Sequence, residues 1–160
     1  MPTFGPKSNG VLDSITPLLQ TLMNKVVKHY DITLLEGHRA EEPQNELFSG
    51  GASKVKWPDS RHNTNPSMAV DVCPYPIPKE WGDLGWLTGK ARDKAWKERV
   101  KFYQMVSVIQ FCWEQMLVEE ETAAHARKYQ LRFGADWDGD GDYSDQAFDD
   151  LVHVELNLIT

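Results

Sequence analysis

At 160 residues, 41% hydrophobic and 26% charged, the chain has the size and make-up of one soluble globular domain with a core of its own. No apolar run approaches the length of a membrane-crossing helix, so membrane insertion is not expected. The formal net charge is −7 and the seven aspartates from Asp136 to Asp150 account for all of it, so the acidity is one local feature and nucleic acid is not an expected partner.

Apolar residues recur at helical spacing over residues 11–30, which predicts a first helix capped by Asp13 or Ser14, with Pro17 tolerated in its first turn. Residues 32–36 are a short β-type run closed by Gly37. Residues 41–48 read as a second helix, with Pro43 in its first turn and Gly50-Gly51 ending it. Loop-like composition follows over 52–66. Residues 68–73 form the next strand, stopped by Pro74, Pro76 and Pro78. A long helical segment runs from Gly89 to Lys128 with one break. Its basic opening reads as a solvated face, because Asp93 and Glu98 can pair with neighbouring lysines and arginines. Residues 130–134 and 153–158 are the last two strands. Cys73 and Cys112 are expected as buried small hydrophobes, although Cys73 would share a strand face with Asp71. Helices come first and strands recur late, which predicts an α+β fold with a small, mainly antiparallel sheet packed against helices. With no linker or repeat, residues 1–160 are expected to form a single domain and a monomer. The N-terminus lacks a secretory pattern, so synthesis in the cytoplasm is expected.

The chemistry concentrates near the C-terminus. His153 and Glu155 lie two apart on a strand and therefore face one side, with Asp150 at the turn that leads into it. Asp71 on another strand, and His62 in the loop before it, can meet them across the sheet. Each histidine alone would read as structural. Together, two histidines and one aspartate leave a fourth position open, the pattern of a catalytic zinc site. Upstream, Asp136, Asp138, Asp140 and Gly141 match the first half of a calcium-binding loop. The twelfth position is Ala147 in place of a bidentate glutamate, so Asp142, Asp145 or a carboxylate from elsewhere must complete a calcium shell. A solvated acidic turn is the alternative.

The order Ser60-x-His62, Ala69-x-Asp71 and Asp150-x-x-His153-x-Glu155 resembles the signature of VanY-type D-Ala-D-Ala carboxypeptidases and phage L-alanyl-D-glutamate peptidases, within the hedgehog-like zinc peptidase superfamily. The likeness spans most of the chain, from the segment ending in Arg39, with Gln44 downstream, to Leu156. It departs from the family's pattern between His62 and Asp71, where two extra residues stand and a glycine is missing.

The resemblance implies a hedgehog/D,D-peptidase-like fold with zinc ligands His62, Asp71 and His153. It implies Asp150 as catalytic carboxylate, Arg39 as the stabiliser of substrate carbonyl or oxyanion, and Ser60 and Gln44 as substrate contacts. Glu155 would orient a ligand histidine or reach the substrate amine. The implied activity is hydrolysis of the L-Ala–D-Glu bond of bacterial peptidoglycan by a phage endolysin without a separate wall-binding domain. It would be made in the host cytoplasm and act in the periplasm after membrane permeabilisation. Independently of the resemblance, the aspartate loop leads directly to Asp150 and His153, so calcium filling it is expected to position that carboxylate and activate the enzyme. A D,D-carboxypeptidase, or a non-catalytic zinc- and calcium-binding recognition module, are the alternatives.

Overall fold

The computed structural model describes residues 2–159 apart from 80, 82–87, 144, 146 and 147. Among these residues, four short strands make one sheet: β1 (Ile32–Glu36), β2 (Ala69–Pro74), β3 (Tyr129–Phe133) and β4 (His153–Leu158), in the order β1-β2-β4-β3. Every pair is antiparallel. The α+β class with a small antiparallel sheet is the one expected.

Period-2 alternation gives the sheet its two faces. Val70, Val72, Val154, Leu156, Leu131 and Phe133 turn to one side and are buried. There they meet Leu19, Leu22, Met23 and Val26 of α2 (Pro17–Val26), and Phe102, Met105, Ile109 and Met116 of α4 (Gly89–Val118). The opposite face carries Asp71, His153, Glu155 and Arg132. The register sets Asp71 directly against His153, and Arg132 against Glu155. An irregularity between Leu34 and Glu36 places Glu36 against Asp71, so the end of β1 also serves this polar face.

The first helical expectation needs correction. Residues 11–30 do not form one helix: α1 covers Pro6–Leu12 and α2 begins at Pro17. The cap is Thr16, whose Oγ1 accepts from the Leu19 amide at 3.5 Å, and not Asp13 or Ser14. A residue before proline is pushed out of the helical region, and Ile15 uses that extended stretch to bridge Ser67. Ser14 instead donates to the Val11 carbonyl and accepts from the His38 amide. The other boundaries fall close to expectation. The second predicted helix is α3 (Glu41–Ser49), with Gly50 as its C-cap. The long helical segment breaks once, between α4 and α5 (Ala123–Ala126). Its basic opening includes the ion pairs Lys101–Glu98, at 2.8 Å, and Arg99–Asp149. Cys73 and Cys112 are buried free thiols. Cys73 belongs to the core and not to the polar site.

Candidate active site

The polar face of the sheet forms the floor of an open groove of about 720 Å³. His62 reaches it from a 3-10 turn, Arg61–Asn63. Ser60 caps this turn by accepting from the His62 amide at 3.3 Å, and the Asn63 side chain closes the capping box. The two extra residues before Asp71 do not enter the groove. Thr64, Asn65 and Pro66 are exposed, Thr64 Oγ1 takes the Met68 amide, and Ser67 is tied to Ser14 and Thr16.

Three atoms converge on the floor. His62 Nε2 lies 3.2 Å from Asp71 Oδ1, His153 Nδ1 lies 3.3 Å from the same oxygen, and the two imidazole nitrogens are 3.2 Å apart. The opposite edge of each ring decides the tautomer. His62 Nδ1 donates to the Gly37 carbonyl at 2.7 Å, and a carbonyl can only accept. His153 Nε2 donates to Glu155 Oε2 at 3.0 Å. In the neutral rings, therefore, both inward nitrogens are lone pairs, and they face a carboxylate oxygen. Three acceptors at this spacing need a proton or a metal cation among them. The carbonyl–histidine and carboxylate–histidine contacts behind them are the usual outer support of a metal site.

The electrostatics agree. Burial works against an imidazolium at His153, yet hydrogen bonds to Asp71 and Glu155 outweigh it and hold the pKa up at about 9. Burial likewise opposes the Asp71 and Glu155 carboxylates. His153 and His62 nevertheless hold Asp71 well below the ordinary carboxylate range, and His153 with Asn157 and Arg132 brings Glu155 down to about 2. This cluster favours positive charge at its centre. Asp150, on the groove wall, shifts the other way, because burial and the neighbouring Asp71 charge raise its pKa. A carboxyl raised in this way suits proton transfer.

Arg39 is 9% exposed and firmly held. Its Nε and NH2 reach the two oxygens of Glu36 at 2.9 and 2.6 Å, NH1 reaches Gln44 Oε1 at 3.1 Å, and NH2 stands 3.6 Å from Asp71 Oδ2. Gln44 is not a substrate contact. It is fully buried, its Nε2 is spent on Ser53 Oγ and the Val55 carbonyl, and its Oε1 takes Arg39 and Asn63. It positions Arg39 and the 53–55 segment.

Several site residues escape a sequence reading. Gly134 sits where an added Cβ would meet Asp150 Cβ and His153 Cβ, both at 2.9 Å, and its backbone bonds to both segments. Arg132 neutralises Glu155 from the neighbouring strand. Trp137 packs 5.4 Å from the His153 ring and donates to the Phe148 carbonyl at 2.7 Å. Alternation along β3 was the one available signal, and it points to Arg132.

In the aspartate loop, ligand oxygens of Asp136, Asp138 and Asp140 lie within 4.8 Å of one another. Asp136 accepts the Gly139 and Gly141 amides at 2.9 and 3.0 Å. Asp142 and Asp145 do not join this group as the sequence suggested. Asp140 Oδ1 instead takes the Asp142 amide at 2.8 Å. Ala147 lies outside the described residues.

Two imidazoles and a carboxylate facing one point, with a further carboxylate on the wall of an open groove, form a candidate metal centre of the kind that serves hydrolysis. The sequence is 30% identical to the L-alanyl-D-glutamate peptidase of Escherichia phage T5, over 96% of each chain. The protein thus belongs to the L-alanyl-D-glutamate peptidase family. Its fold is that of the Serratia marcescens L-Ala D-Glu endopeptidase ChiX, with a TM-score of 0.63 at 16% identity, covering 96% of this chain and 89% of that one. No family model matches the sequence.

Proposed function

We propose that this protein is a zinc-dependent peptidoglycan endopeptidase that cuts the L-Ala–D-Glu bond of stem peptides and serves as a phage endolysin in host lysis. The observation that carries this reading is the meeting of His62 Nε2, Asp71 Oδ1 and His153 Nδ1 in the groove beside Asp150, in a chain of this peptidase family.

Two imidazole nitrogens and one carboxylate oxygen suit zinc. When bound, zinc supplies Lewis acidity and makes a water acidic near neutral pH. The chain's own groups do the rest. Asp150 accepts the proton of the attacking water and returns it to the nitrogen of the leaving glutamate. Arg39, fixed by Glu36 and Gln44, presents its charge beside Asp71, where a substrate carbonyl gains negative charge. Glu155 holds the His153 ring in the tautomer that points Nδ1 inward. Ser60 lines the groove and fixes the turn that carries His62.

The loop of Asp136, Asp138 and Asp140 binds calcium as an activator. The protein acts as a monomer, made in the host cytoplasm and working in the periplasm once the inner membrane is opened. Mass spectrometry of digested peptidoglycan tests the activity. Free L-Ala carboxyl ends on glycan-linked stems are expected, and release of D-Ala alone would replace the reading by a D,D-carboxypeptidase.

A further inference from the structure

An enzyme that opens an L-alanyl–D-glutamyl bond releases glutamate as its amine product. Glutamate has two carboxyl groups. Even when one is engaged in the next amide, the other stays ionised at neutral pH, a few bonds from the departing nitrogen. A buried or half-buried carboxylate needs a cation.

Among the described residues, four cations line the groove: Arg39, Lys54, Arg61 and Arg132. Arg39 is committed to Glu36 and Gln44, and Arg132 to Glu155. Arg61 gives its Nε to Asn157 Oδ1 at 2.8 Å. Lys54 differs. Its ammonium rests over the Phe148 ring, 5.0 Å from the centroid, and among the described residues it has no hydrogen-bond acceptor, neither a carboxylate nor an amide oxygen like the one that holds Arg61.

The base of that arm is fixed. Gln44 Nε2 ties down Ser53 and Val55 on either side, and the Ser53 amide donates to the Leu47 carbonyl. The arm reaches Phe148, which also lines the groove and stands two residues before Asp150. Phe148 stacks on Trp137 at 6.5 Å, and Trp137 lies against His153, so an aromatic wall leads from a metal ligand to the lysine. An exposed cation–π contact is weaker than a charge-assisted hydrogen bond to a carboxylate. The ammonium therefore leaves the ring when a carboxylate enters.

We propose that Lys54 is a specificity-determining residue that binds the free carboxylate of the substrate's glutamate, with Phe148 as the resting place of its ammonium. This rests on the peptidase reading above. Lys56 is an internal control: it lies two residues on and its ammonium stands 5.4 Å over Phe48, but it does not line the groove.

The test uses the metal-loaded full chain and two stem peptides that differ only in that glutamate carboxylate, free in one and converted to carboxamide in the other. The wild-type protein is expected to favour the carboxylate peptide by about tenfold to a hundredfold in kcat/KM, carried by KM. Lys54→Met should bring the ratio down to about one by raising KM for the carboxylate peptide, with kcat little changed. Lys54→Arg and Lys56→Met should keep the preference. A wild-type ratio in Lys54→Met, or equal cleavage of both peptides by the wild-type protein, overturns the assignment. Failure of the wild-type protein to cut either peptide between alanine and glutamate overturns the peptidase reading itself, and this inference with it.

Discussion

Arg132 and Glu155 are direct partners across β3 and β4. Arg132 Nε and NH2 both reach Glu155 Oε1, at 2.8 and 2.5 Å, which leaves Oε2 for His153. The ion pair thus fixes the carboxylate that fixes the ligand. Removing it should loosen the metal without removing a ligand. Glu155→Leu is expected to weaken zinc binding about 10- to 100-fold, and Arg132→Leu to weaken it by less. Competition with a chromogenic chelator measures both. Unchanged affinity in Glu155→Leu would show that the His153 ring is held by other contacts.

Asp150 separates chemistry from metal binding. Asp150→Asn keeps the shape of the side chain and removes the proton acceptor. Zinc content should stay near normal, and cleavage should slow by roughly two or more orders of magnitude. Wild-type rates in this variant would move the base to another carboxylate in the groove. His153→Ala provides the contrast, since loss of an inward nitrogen should empty the site of zinc, as read by metal analysis.

Gly134 places both residues at once. A methyl group there would press on Asp150 and His153, and the Asp150 carbonyl stands in the same direction. The Gly134 carbonyl accepts the Asp150 amide at 2.9 Å, so the neighbouring segment cannot simply retreat. Overpacking of this kind costs about 1–3 kcal/mol. Gly134→Ala should therefore lower the melting temperature and reduce activity further than the loss of folded protein explains. Circular dichroism and an activity assay at a temperature where the variant is folded would separate the two effects. Full activity in the folded variant would rule out this strain.

Much of the fold was legible because its signals are local. The strand of residues 32–36 shows β-type composition ended by glycine, and α3 is bracketed by acidic residues and Gly50. The first helix was misread because apolar spacing continues through Ser14, Ile15 and Thr16. What interrupts it is a bridge from Ile15 to Ser67, a contact 52 positions away that no window of sequence contains. Gln44 was misread for the same kind of reason. Its residue type suits a substrate contact, and only its complete burial shows that its bonding capacity is already spent.

The meeting of His62, Asp71 and His153 was legible from residue order, since alternation puts Asp71 and His153 on one face of the sheet and His62 stands in the loop that leads into the Asp71 strand. Trp137, Phe148 and Gly134 were not. Their roles arise where β3, the aspartate loop and the entry to β4 fold over one another, and none has a distinctive spacing to its partner. Arg132 lay within reach: once β3 and β4 are taken as antiparallel neighbours, a lone arginine on the outward face of β3 needs a carboxylate opposite.

The aspartate loop should govern the groove through Trp137. Asp136 is 9% exposed, and its carboxylate is turned into the loop by the Gly139 and Gly141 amides. Both glycines have positive φ, 77° and 86°, a backbone region that side-chain-bearing residues rarely adopt. The next residue, Trp137, packs on His153 and donates to the carbonyl of Phe148, two positions before Asp150. A divalent ion drawn to Asp136, Asp138 and Asp140 would therefore fix one wall of the active site without touching its ligands. Three carboxylates and no bidentate glutamate in the loop imply weak binding, with a Kd of about 10⁻⁴ to 10⁻³ M. Titrating calcium into zinc-loaded, calcium-free protein should raise activity in step with a calorimetric heat and a change in tryptophan fluorescence. Asp138→Asn combined with Asp140→Asn should abolish that response, lower the calcium-saturated rate, and leave zinc content unchanged. Calcium binding without a gain in activity would reduce the loop to a structural site. The absence of any heat below millimolar calcium would leave a solvated acidic turn.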